Sequence, residues 1–549
     1  MQKFDALLTR LSNGPRAWVM LFLVLLTLLM SLPGFFDLPP IDRDETRFSQ
    51  ASRQMVETGD FIDIRLGEGT RYKKPIGIYW LQSASLSLLG PEHLHDIWAY
   101  RLPSALSAVV AVLLTYLITL TLMGAPQALG AAVMLASCFV FGAETRLAKT
   151  DMTLLATILA CQYVLARLWL DRMLRAGLAY GFWAALAVSV LIKGPIGLLV
   201  VGSTALVLCA QQRSLRWLAP LRAGRGMLLL LALVLPWYIA ITIKSDGAFW
   251  VESLGKDLLA KIGEGQESHG APPGFYLGLV WVTFWPASIL LPFGIWFAFR
   301  QWRAPEVIFC LAWIIPTWLL FEFTATKLIH YVLPTYPALA ALCAAGWMAR
   351  PKAPLHWTMK TCVAALLVLG TVFPVASVWF GHQMGVSPTR YWIFGVALSL
   401  AGAVLMWRTI GRGRVLAPVL ALALLSLGMT SSLWSHLARA PALWPSVALS
   451  QKIRSADLCT APLVLSVGYQ EESLMLLSPH PVTFDHNAAS AVERLSRADC
   501  ALVFVDAPKR AAFDNAATEI GRDLTPVGQV TGFAIGGGDE VALTLYEMR

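Results

Sequence analysis

The sequence predicts an α-helical polytopic membrane protein with a small C-terminal α/β domain. Of its 549 residues, 57% are hydrophobic and only 14% are charged, whereas about a quarter of the residues are charged in soluble proteins. Long apolar runs recur over residues 1–435, and a helix of about 20 apolar residues can cross a bilayer because it satisfies its own backbone hydrogen bonds. Over residues 436–549 the apolar runs shorten to strand length, which predicts a separate domain.

Thirteen apolar runs in the first part of the chain are predicted to be transmembrane helices. The first run follows Lys3, Arg10 and Arg16 and lacks a small-x-small cleavage site, so we expect a retained helix and not a cleaved signal peptide. The 21 Trp and 13 Tyr suit the two interfaces of a bilayer. The predicted spans lie near residues 17–36, 99–122, 126–143, 152–169, 178–192, 194–210, 226–243, 276–298, 305–321, 332–348, 361–380, 391–407 and 415–434.

Positive charge is concentrated in every second loop between these spans, except for the charge-poor loop near Gly124. Two examples are the loops that hold Arg213 to Arg225 and Arg300 to Arg303. The positive-inside rule assigns such loops to the cytoplasm, so the N-terminus is predicted to be cytoplasmic and, after thirteen crossings, the C-terminal domain periplasmic, as in a bacterial inner-membrane protein. The net charge of +9 is spread over these short loops, which argues against a nucleic-acid partner.

The C-terminal domain is predicted to alternate strands and helices. Apolar runs at 463–467 and 501–505 have strand length, and the stretches 487–496 and 509–520 have helix-compatible composition. Six of the eight cysteines fall in predicted spans, where a thiol usually serves as a small apolar side chain. The other two, Cys459 and Cys500, each precede a predicted strand, so a disulfide between them is a candidate in an oxidising compartment.

The outside loop over residues 37–98 begins with a dense group of charged residues. Asp44 precedes a helix-compatible stretch at 45–58, so Asp44 is a plausible N-cap. Taken by itself, this pattern indicates a capped surface helix.

The same loop continues with two adjacent lysines. Lys73 and Lys74 stand before Pro75, which can open a helix at its first turn. The helix that follows, through Leu89, is short and apolar, so we expect it to lie in the plane of the membrane interface. Both lysines would then stand at the height of a lipid phosphate.

Three further groups of ionisable residues lie at the outside ends of predicted spans. Charges this close to the bilayer core are expensive and often mark functional sites, although a lone lysine can also snorkel to the interface. Cations can hold a phosphate as a leaving group, and a carboxylate can take the proton of an acceptor hydroxyl. The three groups are Glu144, Arg146, Lys149 and Asp151; Lys193; and Lys327, His330 and Tyr331.

The outside loop 244–276 is expected to be either a mobile lid or a solvated connector.

The order of these motifs along the chain resembles the GT-C membrane glycosyltransferases. Within that group the chain is similar to the aminoarabinose transferases of lipid A modification and to the dolichyl-phosphate-mannose protein mannosyltransferases. The motifs that carry the resemblance are Asp44-Glu45-x-Arg47, Gly59-Asp60-Phe61, Lys74-Pro75 followed by Tyr79-Trp80, Asp151, Lys193-Gly194, Lys327-Leu328-Ile329-x-Tyr331 and a terminal α/β domain.

The resemblance implies a GT-C fold with about 13 transmembrane helices and a set of site residues. Asp44 matches the leading catalytic or acceptor-orienting carboxylate, and Asp151 matches a second one. Glu471 or Glu472 resembles a segment near the active site. The remaining matches are Arg47, Lys74 and Lys193 as contacts of the donor phosphate, Lys327 and Tyr331 in the cavity wall, and Tyr72 and Glu45 as further substrate-binding residues.

Two positions depart from the pattern of the aminoarabinose transferases. Lys73 stands where those proteins tend to carry a carboxylate that can contribute to a metal site, and Phe48 replaces a tyrosine. A divalent metal therefore stays only a candidate cofactor, with His269 and Glu45 as weak candidate ligands.

The resemblance also implies the reaction. It predicts a pentosyl- or hexosyltransferase that moves a sugar from a polyprenyl phosphate, such as undecaprenyl phosphate, to lipid A or a related lipid at the periplasmic face. Asp44 would orient a phosphate acceptor, whereas it would act as a base toward a hydroxyl acceptor. One alternative is transfer to a hydroxyl of a protein or a polysaccharide. A lipid-sugar flippase or transporter is another, although its charges would be expected at the bilayer midplane.

Overall fold

The chain folds into a bundle of apolar helices followed by an α/β domain. The computed structural model describes residues 2–41, 43–171, 174–253, 255, 270–350, 357–410, 416–456, 459–519 and 524–548. The helices of the bundle are α1 (Gln2–Ser12), α2 (Arg16–Ser31), α3 (Asp44–Thr58), α4 (Gly77–Leu89), α5 (Ile97–Leu122), α6 (Ala125–Ala136), α7 (Phe139–Thr145), α8 (Asp151–Asp171), α9 (Ala176–Lys193), α10 (Ile196–Gln212), α11 (Ala223–Lys244), α12 (Ala248–Trp250), α13 (Phe275–Thr283), α14 (Leu291–Arg300), α15 (Pro305–Glu322), α16 (Tyr336–Ala349), α17 (Trp357–Gln383), α18 (Arg390–Ile410) and α19 (Ala417–Leu437).

Each predicted span coincides with a helix or a bent pair of helices, but the number of crossings differs from the prediction. Eight of the described helices are long and apolar enough to cross a membrane, or up to ten if the bent pairs α6–α7 and α13–α14 each form one span. The helices α2, α10 and α16 have only 16, 17 and 14 residues. A helix of 14 residues rises about 21 Å, less than the roughly 30 Å of the hydrocarbon core. The polytopic helical bundle is confirmed, whereas the count of thirteen crossings is not.

The segment between α2 and α5 packs on one end of the bundle. Asp44 is the first residue of α3, so the prediction that it is the N-cap is wrong. The N-cap is Arg43, whose φ of 73° and ψ of −112° lie where side-chain-bearing residues are uncommon. Helix α4 begins at Gly77 and contacts α3, α5 and α9. A Cβ atom on Gly77 would lie 2.8 Å from the carbonyl oxygen of Leu191, so only glycine permits this close approach.

The C-terminal domain is built on a five-stranded sheet with the strand order β4-β3-β5-β7-β6. Strands β3, β4 and β5 run parallel, as expected for strands joined through helices, while β7 is antiparallel to both β5 and β6. The sequence predicted β3, β5 and the helices at 488–496 and 507–519, but not the other two helices or the strands β4, β6 and β7. The elements are α20 (Pro445–Ser455), β3 (Leu463–Val467), α21 (Glu472–Leu477), β4 (Val482–Asp485), α22 (Ala488–Ser496), β5 (Ala501–Asp506), α23 (Ala507–Glu519), β6 (Leu524–Ala534) and β7 (Asp539–Met548), with the short hairpin β1 (Arg65–Leu66) and β2 (Gly69–Thr70) in the bundle.

Cys459 and Cys500 form a disulfide in this domain, with their Cα atoms 6.3 Å apart. Strands β3 and β5 are neighbours, and Leu463 pairs with Ala501. The residues that precede the two strands are therefore held side by side. The described cysteines outside this pair are buried with free thiols; they are Cys138, Cys161, Cys209, Cys310 and Cys343.

The domain contacts the bundle where α21 lies on α3. Arg47 Nε donates a hydrogen bond of 2.7 Å to Glu472 Oε1. Arg53 Nη1 donates to the carbonyl oxygens of Met475 and Leu476 at 3.2 and 3.3 Å. The α/β domain is thus tied to the helix that carries Asp44.

Candidate functional site

A cavity of ≈ 190 Å³ lies at one end of the bundle. It is located where α9, α11 and α15 end and where α8 and α10 begin, with α3 and the loop before α4 at its rim. One wall is apolar and includes Tyr238, Phe249 and Trp250. The ionisable side chains of the lining are Asp44, Lys73, Lys74, Lys149, Asp151, Lys193, His330 and Tyr331.

Five ionisable side chains are in contact in series at the base of the cavity. Lys149 Nζ lies 3.1 Å from Glu144 Oε1, and His330 Nδ1 lies 3.2 Å from that same oxygen. His330 Nε2 lies 3.3 Å from Asp151 Oδ1, to which Lys193 Nζ donates a hydrogen bond of 2.6 Å. All five side chains are at most 14% exposed. The charges are therefore desolvated and compensate one another within the protein.

Local helix geometry places the members of this charge network. Lys193 is the last residue of α9, which Gly194 ends with a φ of 61°, and Asp151 is the first residue of α8. A cation at a helix C-terminus and an anion at an N-terminus both interact favourably with the helix dipole. In the loop before α8, burial opposes the charge of Lys149, but Glu144, Asp151 and Asp44 outweigh it and raise the pKa of Lys149. The lysine is therefore held as a cation.

Asp44 stands at the mouth of the cavity with a side chain that is 56% exposed. Arg71 Nη2 lies 3.8 Å from Asp44 Oδ1, and the Arg71 guanidinium lies 5.0 Å from the centre of the Phe48 ring. Lys73 and Lys74 line the same rim. The mouth therefore offers an accessible carboxylate next to ammonium groups.

Glu45 does not lie in the cavity, contrary to its predicted role in binding substrate or metal. Its two carboxylate oxygens accept four hydrogen bonds of 2.8–3.0 Å, from two guanidinium nitrogens of Arg101 and from the backbone N–H groups of Ile41 and Ala148. The Glu45 and Arg101 side chains are 1% and 0% exposed. Glu45 is thus an internal ion-pair partner with no oxygen left for a ligand.

Three other predicted site residues also lie outside the cavity lining. Arg47 is directed to Glu472 of the C-terminal domain. The Tyr72 hydroxyl donates to Asp63 Oδ1 at 2.7 Å, which together with burial raises the pKa of Tyr72. Lys327 is buried behind the wall, where its Nζ donates to the Thr324 carbonyl oxygen at 2.7 Å. The predicted donor-phosphate and wall residues that the structure does bring together are Lys74, Lys193 and Tyr331.

Sequence reasoning did not assign roles to Glu144, Lys149 and His330, although it noticed their charges. The structure joins them to Asp151 and Lys193, and His330 lies more than a hundred residues along the chain from the other four members of the network. The available signal was an ionisable residue at the end of an apolar run, which marks each residue singly but not its partner.

Glu144, Asp151 and His330 are the described residues whose ligand atoms are close enough to hold a metal ion, within 4.8 Å of one another. Both carboxylates, however, already contact the ammonium group of Lys149 or Lys193. A divalent cation would have to approach two fixed positive charges, so this set of residues does not fit a metal. The other metal candidate, His269, lies outside the described residues.

The fold and the site define a multi-pass membrane protein whose charged cavity opens at one end of its helical bundle, beside an α/β domain. This architecture agrees with the resemblance inferred from the motifs, and comparison with known proteins supports that resemblance.

A family model described as dolichyl-phosphate-mannose-protein mannosyltransferase matches residues 73–239. The undecaprenyl phosphate-alpha-4-amino-4-deoxy-L-arabinose arabinosyl transferase of Pectobacterium carotovorum is 29% identical over 60% of this chain and 58% of that protein. The enzyme of the same name from Aeromonas hydrophila is 30% identical over 57% of this chain and 58% of its own length. The chain thus spans less than two thirds of these curated relatives. The crystal structure of ArnT from Cupriavidus metallidurans bound to undecaprenyl phosphate superposes with a TM-score of 0.76 at 18% identity, over 97% of this chain and 98% of that one. This match shows the fold.

Proposed function

We propose that the protein is a membrane glycosyltransferase that moves a sugar from undecaprenyl phosphate to lipid A or a related lipid. The names of the similar arabinosyl transferases support the donor and the reaction. The observation that carries the proposal is the exposed carboxylate of Asp44 at the mouth of a cavity that Lys73, Lys74, Lys149 and Lys193 line. We further propose an inner-membrane location with a cytoplasmic N-terminus, so that the cavity opens on the periplasmic side.

The lysines at the rim supply the charge that a phosphate leaving group needs. When the bond between the sugar and the phosphate breaks, negative charge grows on the phosphate, and ammonium groups in a partly dry cavity stabilise it. Lys74 and Lys73 are placed to contact this phosphate from the rim. Lys193 lies deeper, with its Nζ 5.4 Å from the centre of the Tyr331 ring.

Asp44 is proposed to act on the acceptor, whereas Asp151 is proposed to hold another side chain of the protein in place. Asp44 is accessible at the mouth, so it can orient a phosphate acceptor or take the proton of a hydroxyl acceptor. Asp151 instead contacts Lys193 and His330 and is nearly buried. We therefore propose that Asp151 positions Lys193 and does not itself react.

Transfer to a hydroxyl of a protein or polysaccharide is the second candidate. It is favoured by the mannosyltransferase model, whose match begins at Lys73 and covers the lysines of the rim and base. In that reaction Asp44 would be the required base, because a hydroxyl must lose its proton as the new bond forms.

The test is transfer of radiolabel from polyprenyl-phosphate sugars to a membrane extract, followed by separation of the products. We expect label in the lipid A fraction with the wild-type protein, and a loss of about 10²-fold with Asp44→Asn, because the acceptor is no longer held in the reactive position. Asp37→Asn is the matched control, because Asp37 is exposed in the same segment and does not line the cavity. Label in protein or polysaccharide would favour the second candidate. Full activity in both Asp44→Asn and Lys74→Ala would refute the proposed site.

A further inference from the structure

A second, purely apolar groove lies between α14 and α15, with α16 as its floor. It has a volume of ≈ 650 Å³ and is distinct from the charged cavity. The residues that define it best are Gly294, Ala298 and Trp302 on one side, Leu311 and Ile315 on the other, and Cys343 at the floor.

The groove exists because two consecutive helices are splayed apart. Helices α14 and α15 are joined by the short turn 301–304, and both pack on α16, but they make little contact with each other. Helix α14 is held tightly against α16, since a Cβ atom on Gly346 would lie 2.1 Å from the Phe293 carbonyl oxygen. The facing side chains are left exposed, including Ile295 and Ile315 at 50% each and Phe299 at 78%. In a membrane, this gap can be filled only by apolar groups such as the acyl chains of lipids.

Two cations lie at the end of the groove where the turn 301–304 joins α14 to α15. Arg300 is the last residue of α14, and Arg303 lies in the turn, where its guanidinium is 4.6 Å from the centre of the Trp302 ring. Both arginines are exposed, and within the described part of the chain neither forms an ion pair. Helix α15 begins at this turn and ends at the charged cavity. The arginines therefore lie at the membrane face opposite to the proposed active site.

The dimensions of the groove match one leaflet. Helix α14 has ten residues and rises about 15 Å, half of the roughly 30 Å hydrocarbon core. Tryptophan is a residue of the membrane interface, and basic pockets between transmembrane helices bind anionic head groups. We propose that the groove binds one anionic phospholipid of the leaflet opposite to the cavity, with an acyl chain between α14 and α15 and the phosphate at Arg300 and Arg303.

The test is native mass spectrometry of the full-length protein with phosphatidylglycerol or phosphatidylethanolamine added at equal concentration. The wild-type protein is expected to retain phosphatidylglycerol preferentially. Arg300→Gln/Arg303→Gln should reduce that preference by roughly fivefold for each arginine. Ala298→Phe, which fills the groove, should reduce the retention of both lipids.

Two control variants distinguish the groove from general lipid contact. Arg213→Gln/Arg216→Gln removes two exposed arginines from another turn, and Leu228→Phe changes a lipid-facing residue of α11 that is 68% exposed. Both should bind like the wild type, and thermal unfolding of each purified variant verifies its folding. Equal retention of the two lipids by the wild type would overturn the proposal. So would loss of phosphatidylglycerol in the arginine variant with unchanged binding by folded Ala298→Phe, because the lipid would then rest on the surface.

Discussion

His330 joins the two halves of the charge network at the base of the cavity. Its two ring nitrogens face Glu144 and Asp151, and each of these carboxylates also contacts a lysine. A carboxylate buried without such partners would be strongly disfavoured. The network therefore keeps Lys149 and Lys193 charged and fixed in place beside the substrate cavity.

Replacing Lys193 by methionine is expected to destabilise the protein. The change leaves Asp151 nearly buried with His330 as its remaining described contact, and breaking a buried ion pair costs about 3–5 kcal/mol. The midpoint of thermal unfolding of the purified protein should fall clearly, and transfer activity should be lost as well.

The double variant Lys193→Met/Asp151→Asn separates the two effects. It removes the uncompensated charge, so part of the stability should return while transfer stays lost. A Lys193→Met protein that unfolds at the wild-type temperature would contradict the idea that this pair is buried and coupled.

Helix α3 is the element that connects the cavity to the C-terminal domain. Its first residue is Asp44, and one turn later Arg47 contacts Glu472, at side-chain exposures of 25% and 15%. The preceding residue, Arg43, has a positive φ, so the start of the helix is held by its surroundings and not by local preference. The domain is therefore expected to help to position Asp44.

Glu472→Gln is expected to lower the turnover rate several-fold with little change in KM. The reason is that Arg47 loses its charged partner while the cavity lining itself is unaltered. The charge exchange Arg47→Glu/Glu472→Arg should restore part of the rate. Glu493→Gln, at an exposed pair of the same domain, serves as the control and should match the wild type. Unchanged turnover in Glu472→Gln would contradict the idea that the C-terminal domain helps to position Asp44.

The disulfide between Cys459 and Cys500 is expected to stabilise the sheet of the C-terminal domain. It closes a loop with a sequence separation of 41, and bonds of this kind typically contribute about 2–4 kcal/mol. Cys459→Ser/Cys500→Ser should make the domain more sensitive to urea in limited proteolysis, and a reductant should do the same to the wild type only. Labelling of both thiols in the native, non-reduced protein would show that the bond does not form.

At the scale of the whole molecule, the two ends of the bundle differ in chemistry. One end holds the carboxylates and lysines of the cavity and the α/β domain, while the other holds arginine-bearing turns such as 301–304. This asymmetry agrees with the orientation that the positive-inside rule predicts.

A membrane-impermeant maleimide tests this orientation in spheroplasts. Arg497→Cys, at a site that is 76% exposed in the C-terminal domain, should be labelled from outside. Arg213→Cys, in an arginine-bearing turn, should be labelled only after the membrane is permeabilised. The reverse pattern would place the cavity in the cytoplasm and remove the proposed periplasmic reaction.

Only some of the site residues predicted from the sequence line the cavity. Asp44, Lys74, Asp151, Lys193 and Tyr331 do line it. Glu45, Arg47, Tyr72 and Lys327 were assigned to it by motif position, yet Arg101, Glu472, Asp63 and the Thr324 carbonyl oxygen hold their side chains elsewhere. Neighbours in a motif share a segment of chain, but successive residues of a helix, such as those that follow Asp44 in α3, point in different directions.

The sequence by itself determined the polytopic helical class, the position of the α/β domain and the helix ends at which charges gather. Each of these depends on local hydropathy and charge, which are properties of a short stretch of chain. Only the tertiary structure decided that His330 joins Glu144 to Asp151, that Arg101 takes Glu45 out of the site, and that α14 and α15 are splayed around a groove. These features depend on packing between segments far apart in the chain, because a buried charge takes its partner from whichever helix lies beside it.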